Sequence, residues 1–532
     1  LPAPCAIGRI ARRSCSILPT KHSFGLAAKG NTAPLNPHDN PKIMIRFLDI
    51  LRHPAFWAVA TLAVMWPALQ SWGDILTRAV WFHLTADEAL HSEFIEVLAQ
   101  TGKYQPWNGP VFAPHATTGP ALILPAAILS WISGWPGAAM GRVVSFIYYL
   151  GTCILICKLV LKPLVGRPTF NRTLACLLAL GIFHTQWRAL RENFYYPYGV
   201  LGEQAMIFWL CASFFALMSK RSLRAGVACG LALLSKPYCI FIAPVFLITL
   251  CFQKDGRGVA RFTAGLLIPW TGWLTWMAFV LGLNGTVQYW IQYPQVMKQA
   301  NGGLAPATLP FSAVLAQIPR ILNMKGIFFL IAGFFTVLLQ ARRQPWSRPL
   351  AVFAFIHLFW WAFAAPGPQP RYLVPAYLIF CLSSLSFLLE RVFAWRQPPA
   401  WSPAIRATVL FFCVAAVSWR AIPEWMRISS DLPSYGFPQQ LLVQQDWKKL
   451  QARHPDSLLT TQPEFGDDAA LLLSAPFSVH RVPADELPRW LKPGAWFLFG
   501  ENTPASASEY LRRAACQKMG GVQSGPIGIW AC

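Results

Sequence analysis

The chain has 532 residues, 55% of them hydrophobic and only 13% charged, and its mean hydropathy is +0.40. A soluble domain is typically about 25% charged, so the composition argues against a soluble globular enzyme, a disordered chain or a coiled coil. The net charge of +23 is uneven: residues 421–532 hold 10 Lys and Arg against 11 Asp and Glu, and residues 1–420 hold 35 against 11.

An excess confined to the apolar part of the chain is what cytoplasmic loops obeying the positive-inside rule produce. A share of it could serve an anionic lipid substrate, and no nucleic-acid partner is expected. The 24 Trp and 37 Phe suit membrane interfaces, where aromatic rings gather. Long unbroken apolar runs mark helices rather than the weak alternating segments of a β-barrel. The class read from composition is therefore a polytopic α-helical membrane protein.

Residues 1–43 are basic, have no acid before Asp39, and precede the first methionine, Met44. They are expected to stand apart from the fold, as a transit-type segment or, more in keeping with Met44, as sequence upstream of the true start. Apolar runs then cover about 54–72, 118–135, 139–160, 173–187, 198–218, 222–235, 237–252, 259–281, 325–341, 348–365, 372–390 and 404–420. Several approach the roughly 20 residues that a spanning helix needs.

Basic clusters orient the runs. Arg46 and Arg52 precede the first helix. Lys158, Lys162, Arg167 and Arg172 mark one cytoplasmic loop, and Lys220, Arg221 and Arg224 a second. Lys254, Arg257 and Arg261, then Arg342, Arg343 and Arg348, and finally Arg391, Arg396 and Arg406 mark the rest. An inside N-terminus and an outside tail require an odd number of spans. Taking 118–135 as a surface or re-entrant segment leaves eleven; a missed helix would give thirteen.

Three regions follow from this topology. Residues 44–420 are the transmembrane domain, with long external stretches at 73–117 and 282–324. Residues 421–532 are an external soluble domain. It alternates short apolar runs at 458–461, 469–473 and 496–500 with a helix-like stretch at 505–517, which reads as a small α/β unit. Most of the 13 Cys lie in apolar runs as small hydrophobes. No zinc spacing occurs, and Cys516 and Cys532 could pair if the tail faces an oxidising compartment.

Acids are scarce before residue 421, yet Asp87, Glu88, Glu93 and Glu96 fall together in the first external stretch. Thr85 and Glu88 form a capping-box pattern. Leu90, Phe94, Ile95 and Leu98 recur at helical spacing, so the segment reads as an amphipathic helix on the membrane surface. Asp87 and Glu88 then either favour the helix dipole or place a carboxylate at the boundary to take a proton from an acceptor hydroxyl. Asp87 and His91, four apart, could share a divalent ion, but no cofactor is required by the sequence. His115, in a Pro- and Gly-rich loop, either contacts substrate or caps the next helix.

Lys236 interrupts a long uncharged stretch at the external end of two short helices. It either snorkels to the interface or serves as a point charge for phosphate. Gln369, Arg371 and Tyr372 occupy a short external turn, as an interfacial anchor or as a planar phosphate clamp. Arg188, Arg191, Tyr195 and Tyr196 form a further external cluster, suited to a sugar-phosphate or to an aromatic belt. The carboxylates, Lys236 and Arg371 all fall on one side of the membrane.

This pattern resembles the GT-C class of membrane glycosyltransferases, in particular the protein O-mannosyltransferase and aminoarabinose transferase branch. The resemblance rests on the acidic pair Asp87-Glu88, the segment from Gly230 to Lys236, and Arg371-Tyr372, in that order along residues 50–420. It implies a polyprenyl-phosphate sugar donor, displacement at the anomeric carbon with inversion, and a lipid, polysaccharide or protein acceptor. Asp87 would be the general base and Glu88 its orienting partner. Lys236 and Arg371, with Tyr372, would hold the donor phosphate. The expected setting is a bacterial inner membrane with a periplasmic tail. A flippase or transporter of lipid-linked sugars, and an O-antigen-ligase-like transferase, are the alternatives.

Overall fold

The computed structural model describes residues 54–77, 86–105, 119–161, 173, 175–181, 183, 199–300, 324–343, 347–363, 370–394, 457–460, 479–481, 486–499, 505–514, 516–519 and 528–532. The N-terminal stretch 1–43, the apolar run at 404–420 and the boundary at 421 lie outside them.

Among the described residues up to Ala394 the elements are helical. In chain order its helices are α1 (Pro54–Thr77), α2 (Ala86–Thr101), α3 (Pro120–Ser133), α4 (Gly137–Leu161), α5 (Glu203–Met218), α6 (Ser222–Ser235), α7 (Ile242–Phe252) and α8 (Gly256–Ala300). Then follow α9 (Met324–Arg343), α10 (Arg348–Phe363) and α11 (Pro370–Ala394). Helix α2 packs on α3 and α4, α4 on α5, α5 on α6, and α6 on α8, while α11 packs on α9 and α10.

Local chemistry sets the breaks. Lys236 precedes Pro237, and a residue before proline is driven out of the helical region. It sits at φ −149°, ψ 120°, and α6 stops there. Gly202, at φ +84°, turns the chain into α5. Helix α8 breaks at Gly282, φ +72° and ψ 167°, next to the point where the apolar run ends in the sequence. Pro370 opens α11, a first-turn position at which its missing N–H costs nothing.

The tightest packing joins α6 to α8. A Cβ on Gly226 would lie 2.1 Å from the Phe262 carbonyl oxygen, and one on Gly265 would lie 2.2 Å from that of Leu223. Backbones this close need glycine at the crossing, a common device between helices in lipid. Large apolar side chains meanwhile face outward, including Phe279 at 89% and Phe252 at 85% exposed. A helical body with an apolar exterior fits hydrocarbon rather than water.

Among the described residues, two helices are long and apolar enough to cross a membrane, Gly137–Leu161 and Gly256–Tyr293. Shorter apolar helical stretches of 10–17 residues include 120–133, 203–218, 222–235 and 237–252. At about 1.5 Å per residue these fall short of a hydrocarbon core about 30 Å thick. The expectation of eleven spans therefore rests on apolar runs and loop charge, not on helix length. Helix α3, which covers the run at 118–135, has 14 residues.

The C-terminal part is a small α/β unit. Strands β1 (Ser457–Thr460), β2 (Val479–Arg481), β3 (Ala495–Phe499), β4 (Gln517–Met519) and β5 (Gly528–Ala531) form one sheet in the order β2-β1-β3-β5-β4. The β1–β2 and β1–β3 pairs are parallel, and the β3–β5 and β4–β5 pairs antiparallel. Helix α12 (Leu487–Trp490) and helix α13 (Ala505–Arg513) accompany it. Leu487, Phe497, Ala507 and Leu511 make its core. Cys516 and Cys532 are disulfide-bonded.

Candidate functional site

The helix hairpins have two chemically different ends. One carries the turn at Lys220 and Arg221 between α5 and α6, the turn at Lys254 before α8, and Lys158 in the last turn of α4. Arg348 belongs to this end as well; its Nε donates to the Ala341 carbonyl across the α9–α10 turn. The opposite end gathers the start of α4, residues 200–203, residues 235–239 and the start of α11. The candidate site lies at this second end.

Lys236 is its centre. Helices α5 and α6 have 16 and 14 residues, nearly equal arms joined by a short turn, so the chain returns to the level at which α5 began. That brings Lys236 back to Glu203, the first residue of α5. Lys236 Nζ lies 3.4 Å from Glu203 Oε1, and the two side chains are 6% and 1% exposed. Neither Glu203 oxygen has a hydrogen bond among the described residues. The Lys236 side chain is thus enclosed and charge-paired, not snorkelling into solvent. Glu203 also occupies a helix first turn, where an acid is favoured by the dipole.

Gly119, just ahead of α3, packs against the same place. Gly119 N–H donates to the Ser235 carbonyl at 3.1 Å. A Cβ on Gly119 would stand 1.8 Å from the Leu234 oxygen, so two backbones touch two residues before Lys236. His115 lies outside the described residues.

On the other flank stands Tyr238, two residues past Lys236 in the single 3₁₀ turn Pro237–Cys239. Its ring meets that of Tyr372 at 5.2 Å between centroids and stacks on Trp360 at 6.2 Å. The Tyr372 carbonyl accepts from His357 Nε2 at 2.6 Å, which ties the first turn of α11 to α10. The structure therefore brings together the segments of Lys236 and of Arg371-Tyr372. Arg371 is placed by its backbone in that first turn. Gln369 lies outside the described residues.

Helix α2 is anchored to the same end. His91 is fully buried, and its Nδ1 is within hydrogen-bond distance of the Val200 carbonyl at 2.9 Å. Val200 stands three residues before Glu203. Glu96 Oε2 accepts from the Gly137 N–H at 2.5 Å, so a carboxylate meets an orphan donor in the first turn of α4. Asp87 and Glu88 lie on the first turn of α2, and position 87 is one turn from His91, on the same face. Beneath α2, the buried Tyr104 packs on Phe94 and Trp273. Burial, and then the neighbouring phenols of Tyr289 and Tyr293, raise its pKa well above the ordinary value, so it stays neutral.

Arg188, Arg191, Tyr195 and Tyr196 lie outside the described residues. Two site residues, Glu203 and Tyr238, were not singled out by the sequence, nor was Arg142, which is buried in the second turn of α4. Arg142 had a visible signal, a lone charge near one end of an apolar run. One ring nitrogen of His91 is engaged by backbone. Among the described residues no three His, Cys, Asp or Glu side chains gather as a metal site.

No family model matches the chain, and no curated protein matches it. Solved structures are similar to the chain, among them the following two. ArnT from Cupriavidus metallidurans, bound to undecaprenyl phosphate, is 11% identical over 92% of this chain and 98% of its own, with a TM-score of 0.49. The Archaeoglobus fulgidus oligosaccharyltransferase, tethered to an acceptor peptide containing the NVT sequon, is 13% identical over 86% of this chain and 68% of its own, with a TM-score of 0.45. Both are glycosyltransferases of the GT-C class that the sequence resembles. With both scores below 0.5, neither likeness assigns a role to any residue of this chain.

Proposed function

We propose that the protein is a membrane glycosyltransferase that moves a sugar from a polyprenyl-phosphate donor to an acceptor at the outer face. The observation that carries the reading is the packing of Tyr238 on Tyr372. It sets the only lysine of a long uncharged stretch beside the first turn that holds Arg371. Two cationic segments far apart in sequence thus share one end of the helical body. Two cations near a membrane boundary suit a lipid phosphate.

In this reading Lys236 and Arg371, with Tyr372, hold the donor phosphate. Asp87 takes the proton of the acceptor hydroxyl. The acceptor oxygen forms a bond to the anomeric carbon from the face opposite the phosphate, so configuration inverts. The bond from that carbon to the phosphate oxygen breaks, and its electron pair leaves on the polyprenyl phosphate. Cations beside that oxygen stabilise the charge as it develops, commonly a large catalytic term. Glu88 orients Asp87 or the acceptor, which is a lipid, a polysaccharide or a protein.

The site end lies opposite the basic turns, and the positive-inside rule puts it outside. The Cys516–Cys532 bond supports an oxidising compartment for the tail, as in a bacterial periplasm beyond the inner membrane. The undecaprenyl phosphate held by the solved ArnT gives the lipid to use as probe. The test is transfer of labelled sugar from undecaprenyl-phosphate donors in membranes. Asp87→Asn is expected to abolish transfer and keep donor binding. Normal transfer by Asp87→Asn would remove Asp87 as the base, and donor crossing the bilayer without transfer would make the chain a flippase.

A further inference from the structure

The least explained group at the site is Glu203. Its carboxylate is almost wholly enclosed, accepts no hydrogen bond among the described residues, and has Lys236 Nζ as its cationic neighbour at 3.4 Å. A charge-assisted bond normally runs about 2.7–2.9 Å. A buried ion pair this loosely made, with its remaining lone pairs unsatisfied, costs more than it returns. A helix-dipole role alone does not need a buried carboxylate, since an exposed one in the first turn would serve.

Glu203 stands beside the ammonium that, on the reading above, meets the donor phosphate. The transfer changes that phosphate's charge. The donor is a phosphodiester with one negative charge. The leaving lipid is a phosphomonoester, which carries about −1.5 to −2 at neutral pH. Lys236 and Arg371 by themselves would bind the product more tightly than the donor and stall the enzyme. A fixed carboxylate next to Lys236 opposes this, because like charges repel strongly where water is excluded. The repulsion grows with the charge of the phosphate, so it falls hardest on the product.

We infer that Glu203 is a charge-discriminating residue, which loosens the site's hold on the phosphomonoester product relative to the phosphodiester donor. The inference rests on Lys236 as a phosphate ligand and adds what its neighbour does. Glu203 acts through Lys236 and through the field at the site, as a positioning and specificity residue.

The test measures binding of undecaprenyl phosphate and of its methyl phosphodiester to the purified full-length protein. Wild type, Glu203→Gln and Lys236→Met are compared. Glu203→Gln keeps the size of the side chain and removes its charge. It is expected to tighten the monoester roughly tenfold and the diester clearly less, about threefold, as loss of a buried like charge implies. In turnover it lowers KM and kcat together, since product release slows. Glu203→Asp draws the carboxylate back by one methylene and shifts the monoester-to-diester ratio the same way by a smaller factor. It covers the case in which the glutamine form does not fold. Equal effects on both ligands, no effect, or weaker monoester binding would overturn the inference. If Lys236→Met binds both phosphates as wild type does, the phosphate reading of Lys236 itself fails, independently of Glu203.

Discussion

Lys236 and Glu203 are held out of water, with Nζ 3.4 Å from Oε1, and that makes their stabilities interdependent. Removing one partner of a buried pair leaves an uncompensated charge, at about 3–5 kcal/mol. Lys236→Met is therefore expected to lower the melting temperature of the detergent-solubilised protein. The double variant Lys236→Met/Glu203→Gln is expected to recover most of the loss, because no buried charge remains. Equal melting of the single and double variants would mean that the pair is not coupled. The sequence made Lys236 legible because a lone charge among apolar residues has to have a reason. Glu203 was hidden by its position, since an acid in the first turn of a helix is ordinary. Only the nearly equal lengths of α5 and α6, 16 and 14 residues, set the two side by side.

At the scale of elements, the position of Lys236 depends on how α6 crosses α8. Gly226 and Gly265 let the two backbones touch. Gly226→Val would force them apart and cost about 1–3 kcal/mol by overpacking. It would also displace the end of α6 that carries Lys236. Gly272→Ala, on the same α8 but with nothing within 4 Å of the added Cβ, is expected to leave melting unchanged. A Gly226→Val protein as stable as the Gly272→Ala protein would contradict the close crossing. The breaks that shape the site were readable from chemistry: Pro237 after Lys236, Pro370 before Arg371, and glycine at 202. The contact between Tyr238 and Tyr372 was not, because no periodicity links residues in two distant helices. The helix at 86–101 was readable, but not as amphipathic on a membrane surface: His91 to Val97 are all buried, and its docking through His91 onto Val200 needed the three-dimensional structure.

At the scale of the whole molecule, the described residues comprise an apolar helical body and a small sheet unit. Two of the short apolar runs read near the C-terminus fall on strands of the sheet unit, at 457–460 and 495–499. Its disulfide closes 16 residues of chain, a loop worth about 3 kcal/mol in chain entropy. Cys516→Ser/Cys532→Ser is expected to make residues 457–532 readily cleaved by protease while α4–α8 stay protected. Unchanged protection of the tail would show that the bridge adds no stability. The number of crossings was least legible, since apolar runs of 14–16 residues are shared by short spans and by buried helices.

One binding measurement bears on the whole scheme most directly: the dissociation constants of undecaprenyl phosphate and of uncharged undecaprenol for wild type, Lys236→Met and Arg371→Met. Each substitution is expected to weaken phosphate binding by roughly tenfold or more, as loss of a charged contact implies. Binding of the alcohol should be unchanged. If both variants bind the phosphate as tightly as wild type, the two segments joined by Tyr238 and Tyr372 do not form a phosphate site, and the proposed donor is wrong.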